Sequence, residues 1–171
     1  ALKTSNTTSY GLYHGNSPNA SYYNNSVNSL AAGTTNSHAA YFNNTTAAGI
    51  NISNNIFSNK GGGRAMYISV AAGVLSNYNM LYATGATLVQ TATPANSHAN
   101  LYAWKTANFQ DLFSMVYSPA FVNDSTLLPD LANPDVWAIH GRGVQITGNN
   151  YDHDNKSRPT TLTTGVPDLG A

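Results

Sequence analysis

The sequence predicts an all-β protein that folds as a parallel β-helix, a coil of stacked parallel strands, with a loop-rich C-terminal capping region. Three observations predict it: short strands with alternating apolar and polar residues, turns rich in Gly and Asn between them, and the return of the same residue types at a fixed interval. The 171 residues suit one domain, and the 42% of hydrophobic residues favour a folded core.

Two sets of aligned segments define the repeat. The segments YNNSV, SNNIF and NYNML place Asn25, Asn55 and Asn79 in one column, and SYGLYH, SHAAYF and GRAMYI align three tyrosines in another. The spacings are 30 and 24 residues for the asparagines and 28 and 26 for the tyrosines. A two-strand unit therefore returns about every 27 residues, which is typical of a solenoid. An antiparallel sandwich also has short strands, but identical residues at one strand position per repeat favour stacked parallel turns.

Each column has a predicted role. Stacked strands lie about 4.8 Å apart, so an Asn repeated at one corner can hydrogen-bond to the next Asn, and Asn also tolerates a left-handed bend. We expect Asn25, Asn55 and Asn79 to form such a structural ladder. Strict alternation points the neighbours of the aligned tyrosines inward, namely Leu12, His14, Ala40, Phe42, Met66 and Ile68.

The aligned tyrosines then point outward as a stripe. Tyr13, Tyr41 and Tyr67 are candidate ligand-binding residues, because an aromatic surface can stack on sugar rings. The alternative is that the three rings stack on each other and hold the strands in register.

The repeat divides the chain in two. Residues 1–83 are predicted to form the β-helix turns, with Gly61, Gly62 and Gly63 as a corner between two strands. Residues 84–171 are predicted to form loop-rich terminal turns and a cap in the same domain, closing the open end of the solenoid.

Three elements are predicted within the cap. ANLYAWKTAN, residues 99–108, predicts a short helix with Leu101 and Trp104 on one face. The Pro-punctuated residues 119–134 predict loops, and DVWAIHGRGVQITG, residues 135–148, predicts two short strands.

Composition excludes several classes of partner. Seven basic residues balance seven acidic ones, and charged residues make up only 8% of the chain, so we expect no binding to nucleic acid. No apolar run is long enough to span a bilayer, and the chain has no Cys. Low charge with many small polar residues favours an extracellular location on a bacterial surface.

The predicted β-helix turns lack the residues that β-helix enzymes use for catalysis. Glycosidases need two carboxylates, and lyases need acids that hold Ca²⁺ and a base that removes a proton. Residues 1–110 contain neither Asp nor Glu, so the sequence predicts a non-catalytic segment without a resident cofactor. One metal site is a candidate: Asp152 and Asp154 alternate in DHDN and would suit Ca²⁺. The alternative is a polar turn whose acids pair with Lys156 and Arg158.

The ordered set of C-terminal motifs resembles a known family. The segments SNYNMLYATGATL, LYAWKTANFQD, SPAFVNDSTLLPD, GRGVQITGNNYDHDNKSRP and PDLGA follow the order of the terminal turns in right-handed parallel β-helix modules of secreted and cell-surface proteins of Bacteroidetes. The residues that carry the resemblance include Trp104, Asp111, Pro119, Phe121, Arg158 and Asp168 to Gly170. One departure is DHDN, where the family commonly has an Asp-x-Asp-Gly turn.

The resemblance implies a right-handed, pectin-lyase-like β-helix exported by the type IX secretion system. It also implies an adhesive or glycan-related role, and a longer polypeptide of which this chain is a fragment. DST, residues 124–126, matches the short O-glycosylation pattern associated with these bacteria, which would place sugar on Ser125.

Three functions are therefore open. The first is a non-catalytic extracellular segment, an adhesin stalk or a module that binds a glycan or cell-surface ligand. Its other expected partners are adjacent modules of the same polypeptide, or a second copy stacked end to end through open strand edges. The second is part of a polysaccharide lyase or glycosidase with its acids elsewhere. The third is an ice-binding solenoid, suggested by many Thr residues, although they do not keep the repeat register.

Overall fold

The computed structural model describes residues 8–32, 35–44, 49–161 and 163–170. Eleven strands and one short α-helix make this part of the chain an all-β structure. Its parallel sheets stack as a β-solenoid of three turns, so the predicted fold class is confirmed.

Each turn of the solenoid contributes one strand to each of three sheets. The first turn holds β1 (Ser9–Gly15), β2 (Ser21–Tyr23) and β3 (Ser26–Ser29); the second holds β4 (Ser37–Asn43), β5 (Ile50–Ser53) and β6 (Ile56–Asn59); the third holds β7 (Arg64–Val70), β8 (Val74–Asn77) and β9 (Met80–Ala83). The sheets are β2-β5-β8, β3-β6-β9 and β1-β4-β7-β10-β11. In the last, β10 (Val89–Thr93) is parallel to β7, and β11 (Ala95–His98) is antiparallel to β10.

The inward residues form a continuous core between the sheets. Ala40, Phe42, Met66 and Ile68 are completely buried, as the alternation predicts, and so is Phe57 of β6. Leu12, in the first turn, is half-buried.

Strict alternation is wrong at one position of β4 and at one position of β7. Ala39 and Ala40 are consecutive and both completely buried, and the same is true of Ala65 and Met66. The carbonyl of Leu88 accepts hydrogen bonds from both Ala65 N and Met66 N, at 3.1 and 3.3 Å, a pattern found in β-bulges. The extra inward residue shifts the preceding side chain to the outer face, beside the tyrosines.

The corners use residues that match their backbone needs. Gly61 and Gly63 lie so close to the backbone oxygens of Ala31 and Ser37 that a Cβ would collide with them. Asn59 Oδ1 accepts hydrogen bonds from both glycine N–H groups, which closes the predicted corner.

The left-handed residue at the other corner is not the ladder asparagine, contrary to the prediction. The residue before each ladder position has the positive φ instead: 53° at Asn24, 60° at Asn54 and 55° at Tyr78. The ladder side chains point into the structure, where their amides are needed as hydrogen-bonding groups.

The cap contains the predicted helix but not the predicted strands. Helix α1 (Leu101–Asn108) begins at Asn100, whose side chain accepts a hydrogen bond from Ala103 N, and Trp104 is its buried residue. Residues 135–148 contain no strand. Asn133 caps a 3₁₀ turn (Pro134–Ala138), and Pro134 at its start presets the backbone for it.

The C-terminal region runs along the side of the solenoid in addition to closing its end. A second core joins Ile56 and Met80 of the solenoid to Ala138, Ile139 and Leu169. Gly170 N donates to Asn54 O at 2.7 Å. Residues that are last in the sequence therefore pack against the second and third turns.

No helix in the described part of the chain has the length and apolar character needed to cross a membrane.

Candidate functional site

Parallel register places the three aligned tyrosines in one outward row. Tyr13 of β1 pairs with Tyr41 of β4, which pairs with Tyr67 of β7. The rings of Tyr41 and Tyr67 stack with centroids 4.4 Å apart and planes 5° from parallel, and those of Tyr13 and Tyr41 with centroids 5.6 Å apart and planes 9° from parallel. We call these residues the tyrosine row.

Two further rings join the row because of the bulges. Tyr10 meets Tyr41 edge to face at 4.6 Å, and its ring stacks on His38 at 5.7 Å. His38 is only 4% exposed, since Tyr10, Tyr41 and Tyr67 all contact its ring. We call the tyrosine row with Tyr10 and His38 the aromatic face.

Sequence reasoning missed Tyr10 and His38, although a signal was present. Both lie three residues before a member of the tyrosine row, and they pair with each other in register. Three is an odd spacing, so strict alternation assigns them to the interior. Only the bulge brings them outside.

The stacking decides which parts of the aromatic face a ligand can reach. Within the tyrosine row each stacked pair covers one face of both rings, so ring edges and hydroxyls point to solvent. Tyr13 is stacked by the row on one side only and is 51% exposed, and Tyr10 is 43% exposed. The accessible ring surface therefore belongs to these two residues.

Polar groups border the exposed rings. Asn43 Nδ2 donates to the Tyr13 hydroxyl at 3.0 Å, and Ser69 Oγ donates to Asn43 Oδ1 at 3.2 Å. Apolar ring surface next to amides and hydroxyls is a combination suited to sugars, which have C–H faces and equatorial hydroxyls.

The electrostatics of this face are close to neutral. Burial, with the nearby Arg64 guanidinium, lowers the pKa of His38 to about 4, so the imidazole is uncharged at neutral pH. Burial and the neighbouring tyrosines raise the pKa of Tyr41, which keeps its hydroxyl protonated. Arg64 Nη1 donates to Thr35 O at 2.8 Å.

The Asn ladder lies inside the corner between the other two sheets. Asn25 Nδ2 donates to Asn55 Oδ1 at 2.8 Å, and Asn55 Nδ2 donates to Asn79 Oδ1 at 3.0 Å. The backbone N–H of each donor residue reaches the same oxygen, at 3.0 and 2.9 Å. The hydrogen bonds of the ladder thus all run in one direction, because each side-chain amide donates towards the next turn.

Asp111 ends the ladder at its C-terminal side. Its Oδ1 accepts from Asn79 Nδ2 at 3.0 Å and from Ser114 Oγ at 2.5 Å, while Oδ2 accepts from Trp104 Nε1 at 2.8 Å. Ser114 Oγ in turn accepts from Asn79 N at 2.7 Å. This buried group replaces the next Asn with a side chain that only accepts.

The two aspartates of the metal hypothesis lie in a polar turn. Asp152 Oδ1 accepts from Lys156 N at 2.7 Å, and Asn155 has a φ of 62°. Asp154 lies 3.3 Å from His153 Nε2 and 3.9 Å from Lys156 Nζ. Within the described ranges no three His, Cys, Asp or Glu side chains gather as a metal site, and these contacts favour the turn.

A cleft of about 470 Å³ lies between this turn and the 3₁₀ segment. Apolar side chains such as Leu128 and Val136 line it together with Arg158, His140 and Asp168. His140 Nδ1 lies 2.9 Å from Asp168 Oδ1. We call it the cap cleft. Sequence reasoning did not identify it, because its residues come from separate loops.

The remaining predicted residues lie apart from both sites. Ser125 is exposed in a turn where its N–H donates to Asn123 Oδ1 at 2.9 Å. His14 is buried and its Nδ1 lies 2.8 Å from the Tyr22 hydroxyl.

Comparison of the chain with protein-family models, with curated proteins and with solved structures gives no match in any of the three. The function is therefore argued from the geometry of the aromatic face.

Proposed function

We propose that this chain is a non-catalytic β-helix segment of an extracellular bacterial surface protein, and that its aromatic face binds glycans. The observation that carries the proposal is the pair of exposed tyrosines, Tyr10 and Tyr13, at the edge of a rigid ring stack with amide and hydroxyl groups beside it.

The stack supplies preorganisation. Tyr13 is held by Tyr41 behind it and by the hydrogen bond from Asn43, so little side-chain freedom remains to be lost on binding. A sugar ring would lie with its C–H groups on the free face of Tyr13 or on Tyr10. Its hydroxyls would hydrogen-bond to Asn43 and to the exposed edge of the tyrosine row.

Charge favours a neutral glycan. No acidic residue occurs before Asp111, and His38 is uncharged, so the face offers ring surface and neutral polar groups with Arg64 at its margin. Low overall charge also supports the extracellular location, and the resemblance to exported Bacteroidetes modules supports a role in adhesion.

A glycan array with the intact chain tests the proposal. We expect Tyr13→Ala and Tyr10→Ala each to weaken binding about tenfold, because they remove the accessible rings. Tyr102→Ala is the matched control: this tyrosine is 79% exposed on α1 and contacts no other ring among the described residues. If the array shows no ligand, or if all three variants bind equally, the aromatic face serves packing only.

Tyr41→Ala separates binding from packing. Tyr41 lies in the middle of the row, so its removal should lower the free energy of unfolding as well as affinity. Tyr13→Ala should lower affinity with a much smaller loss of stability. Thermal unfolding measured beside the array distinguishes the two effects.

The cap cleft favours a second candidate, a carbohydrate-active enzyme. It brings Asp152, Asp154 and Asp168 to one concave surface with His140. Incubation with a polysaccharide panel, with assay for new reducing ends, tests this candidate. Activity that Asp168→Asn abolishes would replace the binding proposal with a catalytic one.

A further inference from the structure

We infer that the N-terminal end of the solenoid, formed by β1, β2 and β3, is a docking surface for an extended polypeptide that adds one more parallel turn. Among the described residues each of these strands has one partner strand, β1 with β4, β2 with β5 and β3 with β6. Their other edges are rows of backbone donors and acceptors, and such edges bind strands.

The direction of the hydrogen bonds in the Asn ladder determines which hydrogen-bonding groups the partner must supply. At both steps a backbone N–H and a side-chain amide donate to Oδ1 of the following asparagine. Asn25 is the first member, and its Oδ1 receives no hydrogen bond from the described part of the chain. The open position therefore requires two donors, which an asparagine in the parallel orientation supplies.

The opposite end of the ladder is already closed. Asp111 and Ser114 take up the amide and the backbone N–H of Asn79, and Trp104 holds Asp111. The long sheet is likewise closed by the antiparallel strand β11. At this end β8 and β9 also have one partner strand each, but Gln110, Asp111 and Met115 hydrogen-bond to their outer edges. In the described part of the chain, the unmet pattern of the ladder therefore lies at the N-terminal end of the solenoid.

Buried polar atoms without a partner concentrate in the first turn. Seven such side-chain atoms occur in the described residues, and four of them belong to Ser9, His14, Asn24 and Asn28. His14 is 2% exposed and Asn24 7%. Buried polar atoms are normally hydrogen-bonded, so this turn lacks hydrogen-bond partners to a greater extent than the others.

Asn54, which occupies in the second turn the place of Asn24, shows how such a group is satisfied. Its Oδ1 accepts from Val144 N at 2.8 Å and its Nδ2 donates to Val144 O at 2.6 Å, so an extended backbone pairs with the amide. Val144 belongs to the C-terminal region that runs along the side of the solenoid, so a partner that satisfies Asn24 in the same way has to extend from the N-terminal end onto the side of the first turn.

A second copy of the chain fits this surface poorly. Two N-terminal ends facing each other would oppose two Asn25 oxygens, which both accept. An end-to-tail arrangement would place this surface against the end of the solenoid that Asp111 and β11 close. The partner is therefore a parallel segment with an asparagine at the ladder corner. It would also place an aromatic residue on the free face of Tyr13, where it would compete with a bound sugar for that ring.

A synthetic peptide of residues 37–59 of this chain is the probe, because it carries Tyr41 and Asn55 at the required positions. Fluorescence anisotropy of the labelled peptide with the intact chain should show saturable binding. The same peptide with Asn55→Leu should bind at least about tenfold more weakly, and a scrambled peptide not at all. Because only the peptide is altered, the fold of the chain is unaffected.

Hydrogen exchange locates the contact. The peptide should slow exchange of backbone amides in β1, β2 and β3 and leave the cap cleft unchanged. The inference is overturned if the native peptide does not bind at about 1 mM, or if it binds no better than the Asn55→Leu peptide. Concentration-dependent dimerisation of the chain that blocks the peptide would also overturn it, since the occupant would then be a second copy.

Discussion

Asn55, the middle residue of the ladder, connects all three turns of the solenoid. Asn55 donates from its side chain to Asn79 and to the carbonyls of Tyr22 and Ser53, and it accepts from Asn25. A smaller residue leaves these buried groups without partners, and each such group costs about 1–3 kcal/mol.

Asn55→Ala should therefore lower the free energy of unfolding by about 3 kcal/mol, measured by urea denaturation. Asn51→Ala is the control, because the Asn51 side chain is half-exposed on the neighbouring strand and makes no side-chain hydrogen bond. We expect that control to stay within about 0.5 kcal/mol of the native chain. Equal losses in both variants would refute the ladder's role in stability.

His38 makes the aromatic face sensitive to acid. Its pKa is about 4 in the folded chain and near 6.5 when unfolded, so the unfolded state binds more protons between these values. Stability should thus fall as the pH drops from 6.5 to 4, by about 3 kcal/mol, and this contribution should level off below pH 4.

His38→Phe keeps a ring and removes the titrating group, so denaturation across this pH range should show a shallower slope. A part of the slope will remain, because burial also lowers the pKa of His14 and His98. A His38→Phe variant with the native slope would contradict the assignment.

The Asn ladder ends at a residue whose side chain cannot continue it. An asparagine can both donate and accept, whereas a carboxylate only accepts. Asp111 meets donors at both oxygens, from Asn79 and Ser114 on one side and Trp104 on the other. The same position filled by asparagine would direct an NH₂ group at one of these donors.

Asp111→Asn should consequently destabilise the chain by about 2 kcal/mol despite its nearly identical shape. Asp130→Asn is the matched control, since Asp130 accepts one hydrogen bond, from Ala132 N, which an amide oxygen also accepts. Thermal unfolding of both variants decides the question. A stable Asp111→Asn chain would mean that the end of the ladder tolerates either group.

The sequence predicted the strands whose residue pattern repeats along the chain. Three copies of one pattern predicted the strand pairing of Tyr13, Tyr41 and Tyr67, because parallel stacking forces equivalent residues into one row. It could not find the bulge beside Ala39 and Ala65, since that feature depends on a shared carbonyl hydrogen bond.

The structure of the cap could not be predicted from the sequence, for a different physical reason. Residues 135–148 alternate like strands, yet Asn133 and Pro134 start a 3₁₀ turn whose apolar residues meet Ile56 and Met80. This part of the sequence has no repeat, so its local pattern does not predict the contacts with Ile56 and Met80. The cap cleft, assembled from separate loops, was missed for the same reason.

Over the whole molecule, the cap ties the turns together. Asp124 accepts from Lys60 Nζ at 2.7 Å and from Asn28 Nδ2 at 2.8 Å, and so joins the second turn to the first. Ile139 is completely buried in the second core beside the solenoid. These contacts predict that the cap unfolds together with the solenoid as one cooperative unit.

Ile139→Ala should lower the unfolding free energy by about 3 kcal/mol while leaving a single transition, because solenoid and cap unfold together. Far-ultraviolet circular dichroism for the strands and Trp137 fluorescence for the cap should give coincident curves. Leu131→Ala, at an exposed cap position, should have little effect. Separate transitions for the two probes would show that the cap unfolds independently.

The packing of Gly170 against Ser26 and Ile56 affects how far the chain can fold while it is being synthesised. The ribosome releases the first turn early, whereas Gly170 follows Ser26 only 144 residues later in the sequence. Until residues 138–170 have emerged, Ile56 and Met80 lack their apolar partners in the second core, and the ladder contacts have to hold the turns. The growing chain is therefore less stable than the finished fold until residue 170 has left the ribosome.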